Sequence, residues 1–218
     1  AYAQFCRVGA GESFRLPDTV SFQEGALVEP LAVGLNAVRR AQLQPGDRVL
    51  IVGAGPVGLS VALWCQFFGA QHIVVSDLVA ARAERAMDLG ATAVVDAGAG
   101  SVGDQAAEAA GGRPRVVFDC VGLPGSLQLA IDYAPHDARI VVVGLCMAGD
   151  HLFPTKALVK ELEISFSFIY RHEDFETVVQ LIGPGRIDAT PMISDRVGLT
   201  TFPDAFDALK QPKRPITV

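Results

Sequence analysis

The stretch VLIVGAGPVG at residues 49–58 constrains the fold more than any other part of the chain. It joins a continuous apolar run to three glycines with the spacing Gly53-x-Gly55-x-x-Gly58. Gly53 permits a tight turn, Gly55 lets a pyrophosphate approach the backbone, and Gly58 allows a helix to pack closely on a strand. The stretch therefore predicts a strand followed by a helix whose N-terminus faces the phosphates of a dinucleotide.

An acidic residue, Asp77, follows the second apolar run and lies 19 residues beyond Gly58. A carboxylate in this place accepts hydrogen bonds from an adenosine ribose and repels a 2′-phosphate, which favours NAD over NADP. Two other interpretations remain open. In the first, the glycines form only a tight turn and Asp77 caps the next helix. In the second, the site is methyltransferase-like, since that class of enzyme also places an acidic residue after its second strand. The third glycine and the pair Pro56-Val57 favour the dinucleotide.

Six short apolar runs alternate with helical stretches from residue 48 onward. Most runs are continuous, as expected for strands that are covered on both faces in a parallel sheet. Together they predict an α/β fold, a doubly wound parallel (Rossmann) sheet built from right-handed βαβ units. The predicted strands are 49–52, 73–75, 93–95, 116–118, 140–143 and 164–168, and the predicted helices are 58–68, 80–89, 174–182 and 204–209.

Three segments fit this alternation less well. Residues 97–112, rich in small side chains, predict a poorly packed crossover with a short helix. Residues 1–28 predict a strand, a turn at 16–18 and a helix start, where Ser21 and Glu24 have the spacing of a capping box. Residues 215–218 are predicted to be a strand that is cut short.

Composition and charge argue against several classes of function. Half of the 218 residues are hydrophobic and 19% are charged, which is an ordinary globular composition. The net charge of -6 and the lack of a basic block argue against nucleic-acid binding. No apolar run approaches the roughly 18 residues of a membrane span, and the first residues lack a signal-peptide pattern. The cysteines are far apart, which disfavours a zinc site made from them alone and indicates a reducing cytoplasm: Cys6, Cys65, Cys120 and Cys146.

A carboxylate, Glu29, interrupts the apolar stretch ALVEPLAVG at residues 26–34. Burying an unpaired carboxylate is costly, so this side chain should reach water, find a partner or hold a cation. The residue before a proline is driven away from helical geometry, while Pro30 suits the first position of a helix. The local sequence therefore predicts a break between two helices, with Glu29 at the N-terminus of the second, where a negative charge is favoured.

Several motifs in a fixed order resemble the medium-chain zinc-dependent alcohol dehydrogenases, and within them the sorbitol (polyol) and threonine dehydrogenase branch. They are VEPLAVGLNAVRRA, GDRVLIVGAGPVGLS, VVSDLVAARAERAMDLGA, FDCVG and VVVGL. The resemblance covers nearly the whole chain. It implies a two-domain enzyme that uses zinc and transfers a hydride from a secondary alcohol to NAD.

The resemblance also implies a division of the chain. Residues 29–169 would form the Rossmann NAD-binding domain, 1–28 would be a remnant of the catalytic domain, and 170–218 would return to that domain. The Cys and His that bind zinc in this family would lie outside this chain. The chain by itself is therefore expected to bind NAD without catalysing.

Individual cofactor residues follow from the same resemblance. Contacts are implied at the pyrophosphate turn, at the adenosine ribose and at three strand ends beside the nicotinamide. Arg82, which spacing alone would place on a solvated helix face, joins Asp77 at the ribose in this assignment. The implied cofactor residues are Gly53, Gly55, Pro56, Val57, Gly58, Asp77, Arg82, Val121, Gly122, Val143, Gly144, Leu145, Ser167, Phe168 and Ile169.

On the substrate side the resemblance implies two catalytic residues, Glu29 and Tyr170. The glutamate of the EP motif lies at the catalytic zinc in this family, as a ligand or through bound water or substrate. The tyrosine approaches the alcohol. Sorbitol dehydrogenases carry an arginine just before that tyrosine, where this chain has Ile169. The exchange argues for a less polar secondary alcohol than sorbitol.

Two further functions remain open. One is a non-catalytic NAD-binding module or redox sensor with the same fold, and the other is an NADPH-dependent quinone reductase without zinc, which Asp77 and Glu29 disfavour. The expected partner is a small-molecule alcohol, with no nucleic acid and no membrane. Residues 163–168 are predicted to form an outer strand with alternating Phe side chains, and an uncovered edge of this kind predicts a homo-oligomer.

Overall fold

The fold is built on a six-stranded parallel sheet. A computed structural model describes residues 3–209, and its strands are β1 (Arg48–Val52), β2 (His72–Asp77), β3 (Ala93–Asp96), β4 (Val116–Asp119), β5 (Arg139–Val142) and β6 (Glu163–Phe166). Their order is β3-β2-β1-β4-β5-β6, and all neighbours are parallel. The order reverses between β1 and β4, which is where doubly wound folds bind ligands. The predicted α/β doubly wound fold is confirmed.

The helices lie on both faces of this sheet. They are α1 (Phe22–Arg40), α2 (Pro56–Phe67), α3 (Ala80–Arg85), α4 (Val102–Ala109), α5 (Ser126–Tyr133), α6 (Pro154–Val159), α7 (His172–Ile182) and α8 (Phe202–Ala208). Side chains of α1, α2 and α7 share one core, and those of α4 and α5 share the other. Within residues 3–209, no helix is both long enough and apolar enough to cross a membrane.

Alternate residues of β1, β2, β4 and β5 supply the two cores, as the pleat of a strand requires. Ile51 and Phe118 face α1, α2 and α7, whereas Leu50 faces α4 and α5. Trp64 of α2 is fully buried, and its Nε1 donates to the backbone oxygen of Leu31 in α1 at 2.7 Å. This bond ties the helix that follows β1 to the long helix that precedes the sheet.

Helix α1 runs through Pro30 without a break, so the prediction of two helical pieces is wrong. The predicted capping box is confirmed, since Ser21 and Glu24 exchange backbone-to-side-chain bonds of 2.8 and 3.2 Å. A proline inside a helix costs about 3 kcal/mol. Full burial of Leu27 and Leu31 contributes about 1.5–3 kcal/mol each, which offsets that cost. Glu29 is consequently an exposed mid-helix residue rather than a helix-start residue.

The segment 97–112 contains the predicted short helix, α4, but it is well packed rather than loose. Val102, Ala106 and Ala110 are fully buried in the core under α4 and α5. A Cβ placed on Gly103 would lie 3.1 Å from the Cα atom of Tyr133 in α5. The small residues therefore permit two helices to approach closely.

The N-terminal segment has no strand within residues 3–21, so the predicted strand is wrong for these residues. It contains a 3₁₀ turn, Ala10–Glu12, and is held by aromatic packing on α7. The ring of Phe14 stacks on that of Phe175 with centroids 5.0 Å apart and lies 4.4 Å from that of His172. The predicted strand at 215–218 lies outside the described residues.

Candidate functional site

The turn between β1 and α2 leaves an open place for an anion. Gly53 has φ +98°, which makes the turn possible without strain, and Gly55 is the N-cap of the 12-residue helix α2 with no side-chain cap. A Cβ on Gly55 would meet no atom within 4 Å, whereas one on Gly58 would lie 1.9 Å from the Gly53 oxygen. Unpaired N–H groups at a helix start favour negative charge. This backbone fits the pyrophosphate of a dinucleotide.

Asp77, at the end of β2, is held beside this turn by both carboxylate oxygens. Oδ2 accepts from the backbone N–H of Ala54 at 2.9 Å, and Oδ1 accepts from that of Val79 at 2.8 Å. Val79 itself is the N-cap of α3, so Asp77 orders the approach to that helix without occupying its capping position. A carboxylate fixed by two N–H donors presents a negative charge at a defined place.

A cavity of ≈ 680 Å³ extends from the glycine turn across the carboxyl ends of β1, β2 and β4. Five of the sequence-predicted cofactor residues line it: Gly53, Gly55, Asp77, Arg82 and Val121. Sequence analysis missed its second wall, which is formed by Leu123, Pro124, Ser126, Leu129 and Tyr133. These residues follow the predicted strand at 116–118. Their place after the carboxyl end of a parallel strand, where doubly wound folds bind ligands, is the sequence signal that could have identified them. The remaining predicted cofactor residues do not line this cavity.

The loops after β4 and β5 lie back to back. Gly122 has φ +72°, and a Cβ there would come within 2.7 Å of the Leu145 nitrogen. A Cβ on Gly144 would lie 2.2 Å from the Gly122 nitrogen. The backbone oxygen of Asp119 accepts from the N–H groups of both Val143 and Gly144 at 2.9 Å. The predicted residues at 121–122 and 143–145 are thus brought together, and Asp119 joins them although sequence analysis did not select it.

The chain after β6 carries two unusual features. Ser167 is buried at 6% exposure, and its hydroxyl has no hydrogen-bond partner among residues 3–209. Ile169 has φ +53°, which is rare for a β-branched residue, and its oxygen accepts from Asn36 Nδ2 at 3.1 Å. Phe168 between them is 69% exposed. Strain and unsatisfied polar atoms cluster at binding sites, so this segment is a candidate contact surface.

Glu29 acts on Tyr170 although the two residues are far apart in the sequence. Partial desolvation raises the pKa of Glu29, although its side chain is exposed. Burial also raises the pKa of Tyr170, and the negative charge of Glu29 raises it further. The ring of Tyr170 lies 5.6 Å from that of Phe175 on α7. The two predicted catalytic residues therefore share one region, at the α1–α7 side of the molecule.

Glu29 does not by itself form a metal site. Zinc in proteins takes about four ligands, and within residues 3–209 the side chains that cluster with metal-binding geometry are His136, Asp137 and Glu161. All three are exposed and precede β5 or β6, at the opposite end of the strands from the cavity. Residues 3–209 therefore do not by themselves complete a zinc site at Glu29.

Comparison with known proteins identifies the relatives of this chain. The family described as zinc-binding dehydrogenase matches residues 56–183. Sorbitol dehydrogenase of Mus musculus is 32% identical over 95% of this chain, which spans 59% of that protein. The structure of 2R,3R-butanediol dehydrogenase from Bacillus subtilis superposes with a TM-score of 0.81 at 33% identity, over 92% of this chain and 58% of that one.

Two of the structural neighbours were solved with a cofactor, one from E. coli CFT073 with NADH at a TM-score of 0.86 and 25% identity, over 94% of this chain and 61% of that one. A protein from Sinorhizobium meliloti 1021, bound to NADP, has a TM-score of 0.86 at 28% identity and covers 98% of this chain and 63% of that one. This chain thus spans about three fifths of the length of its relatives. The family match extends over more than half of the chain, through α2, the carboxyl ends of β2 and β4, and α7. The chain belongs to the zinc-binding dehydrogenase family.

Proposed function

We propose that this chain is the dinucleotide-binding part of a zinc-dependent dehydrogenase that oxidises a secondary alcohol or polyol by hydride transfer to NAD. The observation that carries the proposal is the uncovered backbone at Gly55, which opens into the ≈ 680 Å³ cavity beside Asp77. When bound, NAD supplies the hydride acceptor, and this chain supplies its place and orientation. The names of the relatives support an alcohol or polyol as the substrate.

Asp77 supports NAD rather than NADP. Its carboxylate is fixed by the N–H groups of Ala54 and Val79, so it cannot easily turn away from a 2′-phosphate. Isothermal titration calorimetry of the 218-residue chain with both cofactors tests this preference. We expect Asp77→Asn to weaken NAD binding about tenfold and to reduce the ratio of NAD affinity to NADP affinity. Asp47→Asn, at the opposite end of β1, is the matched control, and tighter binding of NADP by the unmodified chain would refute the assignment.

Catalysis belongs to the whole protein in this proposal. Glu29 lies near Tyr170, and the other zinc ligands would come from the part of the relatives' length that this chain does not span. Zinc would lower the pKa of the alcohol. The intact protein should oxidise members of a panel of secondary alcohols and polyols with NAD, contain zinc by metal analysis, and lose activity in Glu29→Gln. Binding of NAD without turnover of any alcohol would favour a non-catalytic module.

The substrate proposed is less polar than sorbitol. The position before Tyr170 is occupied by Ile169, whose side chain offers no hydrogen-bond donor to a polyol. In the intact protein, Ile169→Arg should therefore raise kcat/KM for polyols relative to simple secondary alcohols. A native enzyme that already prefers sorbitol to butanediols would contradict this part of the proposal.

We also propose that two copies associate through β6. This strand is the last in the sheet, and Phe166 is 64% exposed on it. The exposed apolar side chains of Leu158 and Val159 lie on the preceding helix. Phe166→Lys should shift the chain toward the monomer in sedimentation velocity, whereas Phe22→Lys, at a more exposed position on α1, should not. An unmodified chain that sediments only as a monomer would refute this association.

A further inference from the structure

Asp119 is a buried carboxylate at the end of β4, beside the cavity but not in its lining. It is 1% exposed. Oδ1 accepts from the backbone N–H of Val121 at 3.1 Å, and Oδ2 accepts from the hydroxyl of Ser126 at 2.8 Å. The described part of the chain therefore satisfies this carboxylate with neutral hydrogen-bond donors. Val121 lies in the β4–α5 connection and Ser126 is the first residue of α5, so the side chain fixes the course of the loop between them.

The same residue also fixes the loop after β5. Its backbone oxygen accepts from the N–H groups of Val143 and Gly144, both at 2.9 Å. Asp119 thus holds residues 120–125 with its side chain and residues 143–153 with its main chain. We call these two segments the paired loops.

Other contacts show that the paired loops form one unit. Gly122 and Gly144 approach so closely that neither has room for a Cβ. Asp150 Oδ1 accepts from the N–H of Gly125 at 2.9 Å. A shift of one loop therefore has to move the other, because interiors packed this closely transmit displacements.

We propose that Asp119 is a positioning residue that sets the paired loops against the nicotinamide half of the bound dinucleotide. The inference rests on the proposed function, since it takes residues 121–122 and 143–145 as the surface beside the nicotinamide. The adenosine half is placed mainly by Gly55 and Asp77, which contact neither paired loop through a hydrogen bond in residues 3–209, although Val121 of the first loop lines the same cavity. Removal of the Asp119 side chain should therefore weaken the binding of the nicotinamide half of the cofactor more than that of the adenosine half.

The role of Asp119 is geometric rather than electrostatic. Burial raises its pKa and outweighs the hydrogen bonds from Val121 and Ser126, which lower it. The negative charge of Asp150 raises the pKa further, so on balance the surroundings do not favour the charged form. The charged groups of the neighbouring elements are engaged elsewhere: Arg48 at Ala110, Arg139 at Asp47, and Asp132 at Lys156. An asparagine can make the same contacts, because its oxygen accepts from Val121 and its amide donates to the Ser126 oxygen. Asp119→Asn should thus rescue what Asp119→Ala loses.

The experiment compares binding of NAD and of ADP-ribose, which lacks the nicotinamide, by calorimetry on the 218-residue chain. We expect Asp119→Ala to weaken NAD binding about tenfold, as the loss of two hydrogen bonds would. ADP-ribose binding should change less than about twofold, and Asp119→Asn should bind both as the unmodified chain does. Asp47→Ala is the matched control, because it also removes two hydrogen bonds but lies at the other end of the sheet.

Each outcome separates the inference from the proposed function. Failure of the unmodified chain to bind NAD would overturn the proposed function. Binding of NAD by the unmodified chain and equally by Asp119→Ala, or equal losses for NAD and ADP-ribose, would overturn the inference alone. If Asp119→Ala does not fold, Ser126→Ala removes a single donor and should weaken NAD selectively by a smaller factor. No selective loss in that variant would also overturn the inference.

Discussion

Two glycines of one turn should separate folding from cofactor binding when each is changed to alanine. At Gly58 a Cβ would lie 1.9 Å from the Gly53 oxygen, and real Cβ contacts essentially never fall below 3.0 Å. Helix α2 would have to retreat from β1 by about 1 Å, which would open the packing around the fully buried Leu59 and Trp64. Overpacking of this kind costs about 3 kcal/mol. For a domain of this size, that lowers the Tm by roughly 6–12 °C.

Gly55→Ala should behave in the opposite way. The backbone at Gly55 has φ -73°, which alanine adopts freely, and its Cβ would meet no atom within 4 Å. A poorer N-cap and a less flexible unfolded chain offset each other to within about 0.5 kcal/mol. The methyl group would, however, occupy the space that the pyrophosphate needs. We therefore expect an unchanged Tm and NAD binding weakened at least about tenfold.

Differential scanning calorimetry and NAD titration on the same samples test both variants. A Gly58→Ala protein as stable as the unmodified chain would show that α2 does not contact β1 as described. A Gly55→Ala protein that binds NAD as tightly as the unmodified chain would show that the pyrophosphate does not bind at this turn. The two results are independent, so either one can fail without the other.

Three further predictions concern titration and backbone strain. Glu29→Gln should lower the pKa of Tyr170, because a negative charge that opposes phenolate formation is removed; NMR titration of labelled tyrosine measures it. Burial raises the pKa of both Cys65 and Cys120 above the usual thiol value of 9.0. Above that pH the unfolded chain loses these thiol protons before the folded chain does, so the free energy of unfolding falls as the pH rises. Urea unfolding of the Cys65→Ala/Cys120→Ala variant should show a flatter alkaline decline, and an unchanged slope would contradict the argument. Ile169→Gly should be about 1 kcal/mol more stable than Ile169→Ala, the reverse of the usual order, since φ is positive there; equal urea midpoints would argue against strain.

The sequence was sufficient for the sheet because its signals are local. Continuous apolar runs and the glycine spacing at 53–58 each depend on neighbouring residues, and all six strands and the start of α2 follow from them. The prediction of a helix break at Pro30 was wrong because contacts with distant residues decide the structure there. Local geometry disfavours a helix there, but burial of Leu27 and Leu31 against distant parts of the chain outweighs it.

The site was only partly predictable for a similar reason. Asp77 has a recognisable place relative to the glycines, whereas the role proposed for Asp119 depends on two loops that meet only in the folded chain. The small residues at 97–112 were mistaken for loose packing, although Gly103 provides room for Tyr133 to approach. Composition describes side-chain size, and it does not reveal whether a neighbour fills the space.

The residues proposed for the cofactor and those proposed for the substrate are positioned by different parts of the fold. The sheet and its carboxyl-end loops place the glycine turn and Asp77, while Glu29 and Tyr170 depend on the contact between α1 and α7. That contact contains an ion pair between Arg39 and Asp174, and Asp174 is 1% exposed. Leaving such a carboxylate without its partner is costly, so the pair resists separation of the two helices. Because α1 runs unbroken through Pro30, the restraint at its C-terminal end also fixes the direction in which Glu29 projects. The proline that predicted a helix start instead lies within the rigid element that sets Glu29 beside Tyr170.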